Sequence, residues 1–426
     1  MLPDRIRQLL RARALRQLGP GLITGAADDD PSGIATYSQA GAQFGYNMLW
    51  TVILTYPLMA AIQLVSARLG LVTGRGLAAN IRRSYPAPLL YAIVLLLVLA
   101  NTINIAADIA AMADALRLMV GGPAHLYSIG FGLFCLGMQV WLPYRSCVRY
   151  LKWLTLALLS YVAVLFTVNV PWREVAVASL LPTLEWNGAT LMMIVAVFGT
   201  TISPYLFFWQ AAQEVEDQRV PGGDASLRRD PSKAAARLRR IRLDTWVGMG
   251  FSNLIAFFII VSTATTLGAA GIASIQTSAQ AAEALRPLAG EFAFLLFSLG
   301  IIGTGLLAVP VLAGSAAYAL AEAARWETGL DLKLPRGRGF YSIIAVATLG
   351  GAAIDLLPID PIKALFASAV INGVIAVPIM AVMLLLAGSK RVMGDFVISP
   401  RHKWLGWAAT GVMLLAVAAM SLTWLQ

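Results

Sequence analysis

Charge is scarce in this chain of 426 residues, where Asp, Glu, Lys and Arg together make up only 13%. A soluble domain carries about twice that share, so a string of water-facing domains is excluded. Cysteine is nearly absent. Cys135 and Cys147 both lie in or beside apolar stretches, which rules out a disulfide scaffold and makes both packing residues. Histidine occurs only as His125 and His402, each near the end of an apolar segment, where it reads as solvated or interfacial rather than as a ligand. No HExxH occurs, and no Ser/Lys or paired catalytic Asp stands at helical spacing, so an intramembrane hydrolase is disfavoured.

What the chain has in excess is apolar surface. Hydrophobic residues make up 58% and the mean hydropathy is +0.73, the composition of an all-helical integral membrane protein. Eleven apolar segments can be read, at about 20–50 (broken near Pro31), 48–70, 87–117, 126–144, 150–170, 188–213, 245–268, 292–323, 339–357, 362–388 and 403–424, each near the length that crosses a bilayer. With a cytoplasmic N-terminus, all but four of the 32 basic residues fall on the cytoplasmic face, the exceptions being Arg117, Arg173, Arg286 and Lys363. That asymmetry is the positive-inside signal of a multi-pass protein of the cell's inner (plasma) membrane. It accounts for the formal charge of +10 without nucleic acid. Residues 1–19 are basic and amphipathic with no small-residue cleavage site, and read as a retained surface helix at the cytoplasmic face. The polar stretch Glu214 to Asp244 reads as a solvated loop.

Two segments cannot be continuous helices. The first contains GAADDDPSG, three aspartates followed by Pro31 and Gly33 in an otherwise apolar run. Proline removes a backbone donor, which frees carbonyls that lipid cannot satisfy. Each carboxylate at that depth costs about 2.5 to 3.5 kcal/mol, so a surviving aspartate needs a cation, a partner or water. The sixth segment reads VFGTTISPYLFF, broken at Gly199, Thr200, Thr201, Ser203 and Pro204. Because the two breaks lie five segments apart, a five-helix repeat would return inverted, as in transporters whose half-unwound helices meet at the midplane. Asp30 then adds formal charge to half-helix dipoles that face a cation. The competing reading makes Pro31 and Pro204 ordinary kinks, with Asp28 and Asp29 lining a water-filled vestibule.

GPGLITGAADDDPSG followed by QAGAQFGYNMLW resembles the first-helix region of the Nramp divalent-metal transporters, whose pattern is Asp-Pro-Gly-Asn followed by similar QAG and FGY runs. Asp30 and Pro31 match the motif, while Gly33 stands in place of the family's metal-binding Asn. In the sixth segment Ser203, Pro204 and Tyr205 replace the family's Met-Pro-His. In the third, Asp108 is kept but Ala111 replaces a Glu. These departures resemble the Nramp-related magnesium transporter branch. The resemblance implies the LeuT-type fold, with two inverted five-helix repeats (20–170 and 171–390) followed by a loop and an eleventh helix (391–426).

It also implies a substrate of Mg2+, with Mn2+ tolerated, moved without obligatory proton coupling. Losing a thioether removes a bias toward softer metals, and smaller residues leave room for the waters that Mg2+ keeps. On this reading Asp30 is the main anion, Ala27 and Thr200 offer carbonyls, and the Thr201 and Ser203 hydroxyls contact the ion or its waters at a site widened by Gly33. Asp28, Asp29, Asp108, Tyr205 and Ser368 belong to the surroundings. No resident cofactor is expected. The partners are a divalent cation and the bilayer, and the protein is expected to be monomeric.

Overall fold

The structure is a computed structural model that describes residues 24–25, 27–142, 154–183, 185–219, 223–354 and 360–423. The helix expected over 1–19 and Cys147 lie outside the described residues. Among them the chain is helical throughout, with no strand. Its longer helices are α1 Pro31–Phe44, α2 Leu49–Thr73, α3 Leu77–Ser84, α4 Ala87–Val120, α5 Ala124–Trp141, α6 Leu159–Val164 and α7 Trp172–Leu180. They continue with α8 Gly188–Thr201, α9 Pro204–Arg219, α10 Ala234–Thr263, α11 Ala293–Ala324, α12 Arg338–Ile354, α13 Pro361–Ala387 and α14 Pro400–Thr423. Among the described residues seven stretches are long and apolar enough to cross a membrane; the first, Pro31–Thr73, spans parts of two of the eleven segments read from the sequence.

Both expected breaks are present. Residues 24–25 and 27–28 are helical, Asp29 and Asp30 are not, and α1 resumes at Pro31. Proline suits that first helical position, because the amide it lacks would have no intrahelical acceptor there. In the sixth segment α8 stops at Thr201 and α9 starts at Pro204, with Ile202 and Ser203 between them.

Packing places both breaks at the centre. α4 and α11 make the most extensive helix contact, and α1 is surrounded by α10, α13, α8 and α4. α8 crosses α13 so closely that a Cβ on Gly199 would run into the Ala369 carbonyl and sit 2.8 Å from the Gly373 Cα. Only glycine permits that approach. Peripheral helices turn aliphatic and aromatic side chains outward, among them Leu95, Leu99, Phe134, Val346 and Leu415, as a lipid-facing surface requires.

One expectation fails. The stretch from Glu214 to Asp244 is not a solvated loop as a whole, since α9 extends to Arg219 and α10 begins at Ala234. Glu214 is fully buried and its carboxylate accepts from the Arg240 guanidinium at 2.5 Å. A charge count over the stretch hides this pairing, because a long guanidinium that reaches across from α10 can neutralise a carboxylate buried on α9.

Candidate metal site

Asp30 is the N-cap of α1. Its backbone is extended, and one carboxylate oxygen accepts from the Gly33 amide at 2.8 Å. A capping carboxylate satisfies one orphan donor and lies at the positive end of the helix dipole. Its other oxygen accepts from the Tyr205 hydroxyl at 3.3 Å, and the same hydroxyl lies 3.0 Å from the Ala27 carbonyl. Tyr205, in the first turn of α9, thus closes the two broken segments onto each other. α9 is itself moored to α2, where Gln63 donates to the Leu206 carbonyl at 3.0 Å and Ser66 to that of Phe207.

The neighbouring aspartates are held from another helix. Ser252 of α10 lies 2.6 Å from one Asp28 oxygen and 3.0 Å from one Asp29 oxygen. The remaining oxygen of each is buried without a hydrogen-bond partner among the described residues. Asp108, in the middle of α4, is fully buried, neither oxygen has a hydrogen-bond partner among the described residues, and it lies within electrostatic reach of Asp30. Among the described residues no basic side chain pairs with Asp28, Asp29, Asp30 or Asp108.

The hydroxyls of the sixth segment behave differently. Thr201 donates to the Val197 carbonyl at 2.7 Å, and Ser203 to those of Thr200 and Gly199 at 2.9 and 3.1 Å. Both are folded back on their own helix end: Ser203 satisfies the Gly199 and Thr200 carbonyls that the break frees, while Thr201 bonds a carbonyl one turn back along α8. Ser368 does the same within α13, donating to the Leu365 carbonyl at 2.7 Å. The Thr200 hydroxyl has no hydrogen-bond partner among the described residues. It lies 3.2 Å from where a Cβ of Gly33 would stand, so these two residues face each other across the breaks.

Asp30, Gly33, Ala27, Thr200 and Tyr205 therefore converge. In this arrangement Thr201, Ser203 and Ser368 point into their own helices. Among the described residues no group of three or more His, Cys, Asp or Glu is arranged to hold a metal. An ion here would meet carboxylate, carbonyl and hydroxyl oxygen, a donor set suited to a hard cation that retains water.

Several polar groups close to the breaks went unread in the sequence. Ser252 holds Asp28 and Asp29, yet nothing in an apolar segment distinguishes it from a packing serine. The buried polar side-chain atoms of Tyr37, Asn104 and Asn372 have no hydrogen-bond partner among the described residues. Asn104 left a signal, since it stands four residues before Asp108 on the same face of an apolar helix.

The family model Nramp, described as natural resistance-associated macrophage protein-like, matches residues 21–423. The Divalent metal cation transporter MntH of Klebsiella pneumoniae subsp. pneumoniae is 26% identical over 411 residues, covering 94% of this chain and 92% of that protein. The protein of the same name from Mycobacterium tuberculosis is 28% identical over 420 residues, covering 95% and 91%. Among solved structures, a mutant of the Eremococcus coleocola manganese transporter superposes with a TM-score of 0.76 at 19% identity, covering 95% of this chain and 85% of that one. Mhp1, a nucleobase-cation-symport-1 family transporter in a closed conformation, superposes with a TM-score of 0.56 at 15% identity, covering 95% and 92%. At such identities the structural likeness speaks for fold alone, and that fold is the LeuT type, with the first and sixth helices interrupted.

Proposed function

The chain belongs to the Nramp family, and from that premise we propose that it carries divalent metal cations across the membrane by alternating access. The observation that carries this reading is the set of buried carboxylates at the first break, which no basic side chain neutralises among the described residues. An uncompensated carboxylate at membrane depth is costly, and a divalent cation removes the cost while it is bound. Rocking of one helix bundle against the other would expose the two broken segments to each side in turn. Binding and release are all the site has to do; no bond-breaking step enters.

Within that class we read the substrate as Mg2+, with Mn2+ also carried, imported through the plasma membrane by a monomer whose N-terminus is cytoplasmic. Asp30 supplies the anion, while Ala27 and Thr200 supply neutral oxygen. Ser203 occupies the place of a thioether and Gly33 that of an amide, which leaves space for retained waters. Thr201 and Ser203 can reach the ion or its waters only by giving up the helix-end bonds they now make. Proton coupling is unnecessary for net entry, because two charges moving down a membrane potential gain about 4.6 kcal/mol per 100 mV.

A second reading makes the protein a proton-coupled Mn2+ or Fe2+ importer of the main Nramp type. It is favoured by Asp108, whose two bare oxygens suit a carboxyl that takes up and releases a proton, and by relatives that include a manganese transporter. Uptake of Mg2+, Mn2+ and Ca2+ into proteoliposomes, with a simultaneous internal pH signal, separates the two. Mg2+ entry without acidification, unchanged in stoichiometry by Asp108→Asn, is the expected result. Acidification in step with metal entry that Asp108→Asn removes would establish the second reading instead.

A further inference from the structure

A cavity of about 540 Å3 opens between the C-terminal end of α2, the last turn of α9 and the loop that follows it. Arg75, Arg83, Arg219, Arg228 and Arg229 line it, together with Ser226. A smaller cavity of about 140 Å3 shares Arg75, Arg83 and Arg228 with it and reaches Arg391. No carboxylate lines either cavity among the described residues.

The acidic groups nearby are engaged elsewhere. Asp224 pairs with Lys233 at 2.7 Å, Asp230 accepts from the Ser232 amide at 3.0 Å, and Glu214 holds Arg240. Arg219 bonds the Thr328 carbonyl at 2.6 Å and lies 3.6 Å from Glu216, so its charge is partly met. Among the described residues no ion pair involves Arg75, Arg83, Arg229 or Arg391. Burial, and then the charges of Arg83, Arg229, Arg228 and Arg82, hold the Arg75 guanidinium below its ordinary pKa.

The walls are built from fixed backbone. The Leu227 and Arg228 amides donate to the Leu71 and Val72 carbonyls at 3.3 and 3.2 Å, which staples the loop to the end of α2. The Arg228 guanidinium donates to the Val392 carbonyl at 3.0 Å, and the Asn80 amide closes the 73–76 turn through Thr73, Arg75 and Gly76. Orientation in the membrane asks only that basic residues lie on this face. It does not ask that they converge on one cavity, where like charges repel unless an anion enters.

We propose that this cavity binds a phosphate group. A compact multivalent anion with several oxygens matches guanidinium forks arriving from different walls. Free phosphate and a phospholipid headgroup share that chemistry, so the test has one arm for each.

In the soluble arm, protein in neutral detergent is titrated calorimetrically with inorganic phosphate and pyrophosphate. In the lipid arm, phosphatidylcholine nanodiscs with and without phosphatidic acid are compared by the lipid retained on the protein in native mass spectrometry. Binding in at least one arm is expected, and the arm that responds identifies the source. Affinity in that arm should fall about tenfold or more in Arg75→Gln/Arg229→Gln, as the loss of charge-assisted bonds implies. Lys403→Gln, a basic residue outside the cavity, should leave it within about twofold. If the double variant is not monodisperse, Arg229→Gln, an exposed loop position, carries the comparison alone. No binding in either arm, or equal weakening by Lys403→Gln, overturns the proposal.

Discussion

Where the first segment breaks, between Asp28 and Pro31, the chain buries three carboxylates; where the sixth breaks, at Ile202 and Ser203, it buries only hydroxyls beside an apolar residue. The two places are equivalent in backbone, each a helix end followed by a proline-started helix. Their side chains do opposite things. At the first break, Asp28 and Asp29 keep unpartnered oxygens and Asp30 reaches both its own helix and Tyr205. At the second, Thr201 and Ser203 both turn inward onto α8, and Ser203 satisfies carbonyls that the break frees. The repeat thus conserves geometry while dividing labour: one half contributes charge, the other a neutral wall held in place by close backbone packing.

The largest effect should come from the charged half. Asp30→Ala is expected to lower metal flux by about 100-fold or more, since neutral dipoles cannot replace the waters a divalent ion sheds. It should also lose about 1 kcal/mol of stability, because the cap of α1 goes with it. Asp30→Asn separates these effects by keeping a capping oxygen without the charge. Flux in proteoliposomes should fall as far as in the alanine variant while the unfolding temperature stays near wild type. Near-normal flux in either variant would remove Asp30 from the site.

The neutral half should fail through shape. Gly199→Ala forces a methyl against the Ala369 carbonyl and Gly373, so α8 and α13 must separate at a stability cost of about 1 to 3 kcal/mol. Thermal unfolding of the detergent-purified variant checks this; an unchanged midpoint would mean that the two helices are not in tight contact.

A smaller change is expected from Ser203→Met combined with Gly33→Asn, which should raise the ratio of Cd2+ to Mg2+ transport by about tenfold, because sulfur prefers the softer ion. The asparagine must displace the Thr200 hydroxyl, 3.2 Å from the added Cβ. Both single variants therefore belong in the comparison, since neighbours in one cavity are seldom additive. A ratio that stays flat in monodisperse protein would mean that position 203 does not face the ion.

The smallest effect belongs to Thr201→Val. Its hydroxyl bonds only its own helix, so flux should stay within about twofold and stability should fall by at most ~1 kcal/mol. A large loss of flux would show that the hydroxyl leaves the helix end to meet the ion during transport.

Legibility differed between these features for physical reasons. The breaks could be read because proline lacks an amide and lipid offers no substitute donor. Asp30 could be read because a carboxylate beside such a break has few ways to survive in hydrocarbon. Tyr205 could be placed only by resemblance, since its partners Asp30 and Ala27 lie more than 170 residues away in the chain. Ser252 could not be read at all. Nor could the burial of Glu214 against Arg240, because a run of mixed charge looks the same whether water or another helix faces it.

The sequence alone determined that this chain crosses a membrane many times, that its first and sixth segments are interrupted, and that negative charge is concentrated at the first interruption. Those are local consequences of composition, of proline and of the absence of water in a bilayer. Tertiary structure alone decided which groups the charge meets. The crossing of α8 on α13 at Gly199, the docking of α9 on α2 and the reach of Ser252 from α10 are set by how helices pack. Side-chain packing likewise turned the Thr201 and Ser203 hydroxyls toward their own carbonyls, since a hydroxyl near a helix end can bond inward or outward and only its surroundings choose.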